Sequence, residues 1–144
     1  VKIVFSLNKV MFNGYLSYVS LLNILKSLSG NMTKVLFLLM TGKEAPEKAY
    51  LSLLTVSRQI KAKRYEDAKV LLYGPSEEFV ANLEGEGKEA FNEIVKAGAV
   101  DSACVFIAKK FDVELKLKSM SVDLLPFGER LAHYVNNGYE VITF

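Results

Sequence analysis

The sequence predicts an α/β domain in which a largely parallel sheet carries helices on both faces. Three observations lead there. Val35 to Met40 is a continuous apolar run and Lys69 to Tyr73 a second one. Such runs mark strands buried on both faces, unlike the alternation of a sheet with one wet face. Between and after them, apolar residues recur at helical spacing, as in Ala49, Tyr50, Leu53, Leu54 and Ile60 and again in Ala90, Phe91, Ile94 and Val95. Glycine and proline punctuate the boundaries, at Gly42, Pro46, Gly74-Pro75, Gly98 and Gly138. Strands alternating with helices bury themselves most simply as a parallel sheet between helical layers.

The elements follow in order. Residues 35–40 form the first strand, and Thr41-Gly42-Lys43 makes the turn out of it. Pro46 suits a first helical turn, where its missing N–H costs nothing, and the helix runs to about Ala62. The second strand, residues 69–73, stops at Gly74-Pro75. Ser76 is positioned to cap a short helix with Glu77 and Glu78 in its first turn. Glu84 to Gly87 reads as a loop, and Lys88 to Ala97 as a helix closed by Gly98. Ala99 to Ala103 is a short buried strand, and Val105, Ile107, Ala108, Lys109 and Lys110 a short helix. Val113, Leu115 and Leu117 alternate with Glu114, Lys116 and Lys118, which predicts a half-exposed strand, at a sheet edge or a subunit contact. Asp123 and Pro126 start a last helix carrying Phe127, Leu131, Tyr134 and Val135, and Tyr139 to Phe144 is a fifth strand.

Residues 1–31 stand apart. Val10 to Leu28 is apolar and uncharged until Lys26, but Asn13, Ser17, Ser20 and Asn23 make it too polar for a membrane span. A secretory signal lacks its charged start and small-residue cleavage site. Two expectations remain: a helix over Tyr15 to Ser29, or a segment upstream of a true start at Met32, where the regular pattern begins. Residues 32–144 are then a single domain, the size expected from its length.

Composition narrows the function classes. The chain has 144 residues, 51% apolar or aromatic, with net charge +2. Lys2, Lys9 and Lys26 meet no acid before residue 32, so the remaining residues sit at −1. A near-neutral body without a basic stripe argues against nucleic acid as partner. One cysteine and one histidine exclude a disulfide framework and a cysteine-rich zinc site, and no metal or cofactor is expected. A reducing, cytoplasmic compartment is the default for such cysteine usage. Thr41-Gly42-Lys43 lacks the glycine spacing of a phosphate loop, and Glu44 and Glu47 would repel a phosphate there. Glu77 and Glu78 do the same after Gly74. No nucleophile elbow and no Ser/His/Asp spacing is present, and His133 reads as a residue of the last helix without a catalytic partner.

That leaves Gly98 to Val113, where Cys104 falls between a strand and a helix. Ligands and chemistry collect at the carboxyl ends of strands in open α/β sheets. A thiol acts as a nucleophile only as thiolate, which a helix start and nearby lysines favour, here Lys109 and Lys110. Free cysteines are also among the most buried residues, and packing alone explains many of them.

The run Ala97-Gly98-Ala99-Val100, Ala103-Cys104-Val105-Phe106-Ile107-Ala108-Lys109-Lys110 resembles the central motif of the DsrE/DsrF-like proteins, which include DsrE/TusD-type sulfur-relay subunits and proteins labelled predicted peroxiredoxins. The resemblance extends to the first strand, to Glu44, Pro46, Glu47, Lys48 and Ala49, to the last helix and to the terminal Gly138-Tyr139-Glu140-Val141-Ile142-Thr143-Phe144. It spans about residues 32–144 and leaves 1–31 unmatched. It implies a three-layer α/β/α sandwich on a five-stranded sheet, assembly into homo-oligomers, and sulfane sulfur carried as a persulfide on Cys104. A second cysteine near Cys104 is missing. Three functions follow as expectations: a sulfur carrier exchanging with donor and acceptor proteins or small sulfur compounds, a thiol peroxidase that needs an external thiol, and a non-enzymatic oligomeric binding module with an inert cysteine.

Overall fold

The computed structural model describes residues 32–144, together with Leu25 and Gly30. The helix expected over residues 15–29 lies outside the described residues. Thr33–Phe144 forms one compact unit. Its strands are β1 (Lys34–Leu39), β2 (Asp67–Leu72), β3 (Val100–Cys104), β4 (Leu124–Leu125) and β5 (Glu140–Thr143). Its helices are α1 (Pro46–Lys61), α2 (Pro75–Ala81), α3 (Gly85–Lys96), α4 (Val105–Lys110), α5 (Glu114–Ser119) and α6 (Phe127–Asn136). The sheet order is β4-β3-β2-β1-β5, and every pairing is parallel.

The topology explains an uneven pair of cores. From β1 to β4 the chain steps along the sheet in one direction, so right-handed crossovers keep their helices on one face. The return from β4 to β5 runs the other way and puts α6 on the opposite face. The larger core accordingly joins Phe37, Leu53, Val70, Leu72, Phe91, Ile94 and Leu117 from strands and from the α1–α5 side. The smaller one holds Leu36, Leu38 and Leu71 under Tyr134 of α6, with Tyr73 stacked on Phe127 at 4.2 Å. Both faces of β1 and β2 are thus apolar, which is why their sequences run without alternation. The three-layer α/β/α sandwich with five parallel strands is the architecture expected.

Several local expectations are corrected. Residues 113–117 are no strand: Val113 leads into α5, with Val113 and Leu117 buried and Leu115 84% exposed. Val113 and Leu117 are four residues apart on one helical face, and with Leu115 in water the period-two reading loses its basis. The missing strand is β4, two residues long, directly before Pro126, and Asp123 lies outside α6. Glu84 to Gly87 is not a loop, because α3 starts at Gly85. Gly87 is there for close approach: a Cβ would lie 3.0 Å from Leu83 and 3.5 Å from Tyr50. Val135 points outward rather than into the core.

The tightest approach is at the end of β1. A Cβ on buried Gly42 would sit 2.2 Å from the Pro75 carbonyl oxygen, so the β1–α1 turn lies against the turn that opens α2. Gly42→Ala must displace backbone and is expected to cost about 2 kcal/mol or more in chemical denaturation. Gly128→Ala, in α6 with open space around it, is the control. It should be neutral or stabilising by up to ~1 kcal/mol.

Candidate functional site

The carboxyl ends of β1, β2 and β3 are tied together by two polar side chains from the start of α2. Ser76 does not cap that helix; Gly74, at φ 71°, occupies the cap position. The Ser76 hydroxyl instead donates to the Leu39 carbonyl at 2.7 Å and accepts the Tyr73 N–H at 3.2 Å, joining the ends of β1 and β2. Glu77, one residue on, has no exposed surface. Its Oε1 accepts the backbone N–H of Cys104 at 3.0 Å, linking β2 to β3 across the sheet. Its Oε2 is buried with no hydrogen-bond partner. Burial pushes the Glu77 carboxyl up to about 8, against the opposing pull of the Cys104 and Gly74 backbone. At neutral pH it is mostly the uncharged acid, because a charge there would lose its hydration without a cation to replace it.

Cys104 is the last residue of β3 and the cap residue of α4, a free thiol 5% exposed. The strand-to-helix placement read from the sequence is the one observed. Lys109 and Lys110 occupy the last turn of α4, both exposed, and Phe106 between them and Cys104 is 67% exposed. Five and six residues of helix separate the lysines from Cys104, roughly 8 Å along the axis. The structure therefore brings the backbone amide of Cys104 to Glu77, and leaves the lysines at the far end of the short helix.

The rejected turns are closed by their own residues. The Gly42 N–H is taken by the Glu44 carboxylate, with both oxygens at 3.0 Å, and Lys43 pairs with Glu78 at 2.9 Å. A surface groove of about 440 Å³ lies beside that pair, lined by residues such as Tyr50, Phe79 and Leu83, and Cys104 is not part of it. His133 is exposed on α6, its ring edge-on to Tyr134. Among the described residues no group of three His, Cys, Asp or Glu side chains is placed to hold a metal ion. No helix among them is long and apolar enough to cross a membrane.

A second, half-buried carboxylate lies on the α6 side of β3 and behaves in the opposite way. Asp101 accepts from Arg130 Nε at 2.9 Å and Nη2 at 2.5 Å, from Tyr134 Oη at 2.6 Å and from Ser102 Oγ at 2.8 Å. Burial alone would raise it, but these donors and the guanidinium charge hold it below its usual range. Its lone pairs are spent, so it clamps α6 to β3 and has nothing left for a ligand.

Sequence reasoning placed Glu77 in the first turn of the helix after Gly74, as an acid that would repel phosphate, and not as a partner of the Cys104 amide. The signal available was its spacing: Glu77 and Val80 are three apart on one face of α2, and Val80 is 1% exposed.

No family model matches the chain, and neither does any curated protein. Among solved structures it is similar to the conserved protein of unknown function BT1422 from Bacteroides thetaiotaomicron, with TM-score 0.63 and 19% identity, covering 77% of this chain and 95% of that one. It is similar also to the ychN protein from E. coli, with TM-score 0.57 and 14% identity, covering 78% of this chain and all of that one. These likenesses establish the fold, a parallel five-stranded α/β/α sandwich. The chemistry rests on the turn itself.

The raised Glu77 carboxyl makes stability depend on pH. A group at about 8 when folded and near 4.5 when unfolded stabilises fully below pH 4.5 and loses that contribution as pH rises to 8. The expected loss over that window is about 3–5 kcal/mol. Denaturant titrations of the wild type between pH 4.5 and 9 should show it. Glu77→Gln keeps an oxygen for the Cys104 N–H and should flatten this part of the profile.

Proposed function

We propose that this protein is a sulfur carrier of the sulfurtransferase kind, relaying sulfane sulfur as a persulfide on Cys104. The observation that carries the reading is a free cysteine at the carboxyl end of a parallel strand, its backbone N–H held by the buried Glu77 carboxyl. The resemblance of residues 97–110 to the DsrE/DsrF-like motif supports it further.

In the forward step the Cys104 thiolate attacks the outer sulfur of a persulfide donor. A new bond forms to Cys104 Sγ, the donor's S–S bond breaks, and the donor leaves with the electron pair as a thiol once protonated. In the return step an acceptor thiolate attacks the outer sulfur of the Cys104 persulfide and Cys104 departs as thiolate. No net oxidation occurs, so neither a metal nor a redox cofactor is called for. Lys109 and Lys110 are assigned a supporting role, a positive potential that favours anionic sulfur at the turn. Donor and acceptor are other proteins or small sulfur compounds, in a reducing cytoplasmic setting. Self-association is part of the proposal: β5 is an outer strand, exposed along its length, and Val141 and Ile142 on it are apolar. Outer strands of this kind invite pairing.

One observation favours a second reading. Cys104 is 5% exposed, as an inert packed cysteine in a non-enzymatic binding module would be. Thiol labelling of the folded protein separates the two, since an inert Cys104 reacts only after unfolding.

Incubation with a persulfide donor should add one sulfur atom to the intact mass of the wild type and none to Cys104→Ser. An unchanged wild-type mass, under conditions that load a known carrier, contradicts the carrier function. Replacing Lys109 and Lys110 with alanine should slow loading severalfold, less so at high salt, because exposed charges act through a screened field.

A further inference from the structure

The two edges of the sheet are finished differently. β4 is two residues long and runs into Pro126, a short edge closed by a residue without an N–H. β5 is four residues long, holds neither proline nor lysine, and three of its residues, Val141, Ile142 and Thr143, are β-branched. The ladder to β1 fixes where its backbone groups point. Phe144 donates its N–H to the Leu38 carbonyl and accepts the Met40 N–H, both at 2.9 Å. The N–H and C=O of a strand residue point to one side and those of the next residue to the other, so Glu140 and Ile142 also face β1. The N–H and C=O of Val141 and Thr143 are left on the open edge. We propose that β5 pairs antiparallel with β5 of a second copy of this chain, about a two-fold axis at Ile142, joining two five-stranded sheets into one.

This deepens the self-association part of the proposed function and rests on that part alone, not on the sulfur chemistry. A two-fold axis that extends a sheet stands perpendicular to it, so the pairing centres on a single residue. With Ile142 at the axis, Val141 lies opposite Thr143 of the second copy and Thr143 opposite its Val141, and each pair exchanges two backbone hydrogen bonds. Every outward group of the strand then has a partner. An axis at Val141 instead sets Thr143 against Tyr139, whose N–H already goes to the Tyr134 carbonyl.

The side chains agree with that register. Ile142 pairs with Phe37 on β1 and Val141 with Leu36, which puts Ile142 on the α1 face and Val141 on the α6 face. Val141 is 39% and Ile142 36% exposed. Across the axis Ile142 meets its own copy and Val141 meets Thr143, so both faces gain β-branched pairs. A groove of about 460 Å³ adjoins β5 through Phe144, and Glu47, Lys48, Leu51 and Thr55 of α1 also line it. Glu140, the one charge on the strand, falls opposite Phe144 of the second copy and so brings an acid to that groove. Among the described residues Lys48 has no ion pair there. The two Glu140 residues stand roughly 14 Å apart, so like charges do not meet. A contact of this size is small for a permanent dimer, which makes the association concentration-dependent.

The test is sedimentation equilibrium of the full chain, with hydrogen exchange at the Val141 and Thr143 amides. A monomer–dimer equilibrium is expected, with exchange at both amides slowing as the dimer fills. Ile142→Lys sets two like charges face to face at the axis and should weaken association at least ~10-fold. In a Cys104→Ser background, Ile142→Cys should cross-link to its copy under diamide, because a pair without hydrogen bonds brings its Cα atoms to about 4.5 Å. Val141→Cys should cross-link far more slowly. Faster cross-linking at 141 than at 142 overturns the register, and a dimer untouched by Ile142→Lys overturns the interface. A monomer at every concentration overturns the proposal, including one whose Val141 and Thr143 amides are protected by another segment of its own chain. If Ile142→Lys fails to fold, wild-type sedimentation, exchange and the two cysteine variants decide. Persulfide loading is read separately: a dimer that does not load keeps the interface and removes the carrier, and a monomer that loads does the reverse.

Discussion

A carboxyl group taken fully out of water must be neutralised or well hydrogen-bonded, because an isolated buried charge costs far more than a domain can spare. Glu77 meets that constraint with the backbone of Cys104 and Gly74 and the rest of its balance left to protonation. The arrangement of the site depends on it. Oε1 fixes the amide of Cys104 where β3 ends, and the same helix start carries Ser76, which fixes β1 to β2. Gly42, held against Pro75 with no room for a side chain, completes the seam. Three strand ends are therefore locked into register by residues from a single turn, Gly74 to Glu77. The sulfur of Cys104 inherits its position from that seam.

The two carboxyls that meet β3 sit in opposite environments. Asp101 is surrounded by donors and a guanidinium, and its charge is stabilised so that α6 stays clamped to the sheet. Glu77 has lost its hydration on burial, which outweighs the pull of the Cys104 and Gly74 backbone and suppresses its charge. The same chemical group is an ionic anchor on one face of β3 and a mostly neutral acid at its carboxyl end, and the difference lies in what each environment supplies.

Much of the architecture was legible because burial on two faces writes itself plainly into composition. β1 and β2 announce themselves as unbroken apolar runs, and α1 and α3 as helical stripes closed by Ala62 and Gly98. The errors fall where a pattern is too short to have a period. Val113, Leu115 and Leu117 fit two periods until Leu115 is seen in water, and β4 offers only Leu124 and Leu125. Gly85 and Gly87 looked like loop residues because sequence does not distinguish a glycine that bends the chain from one that lets two helices touch. Cys104 was found at its true place, the end of β3. Glu77 was missed as its partner because the contact joins residues 27 apart through a backbone amide, which no side-chain pattern encodes.

The central claim is that Glu77 is a neutral acid held against the Cys104 amide. The most direct measurement is the ionisation of that one carboxyl in the wild type, followed by the carbon-13 shift of its carboxyl group as pH is varied. The account predicts a protonated Glu77 at pH 7 that titrates near 8, far above the other glutamates. A Glu77 that titrates with the surface carboxylates, near the ordinary value of 4.5, would contradict it.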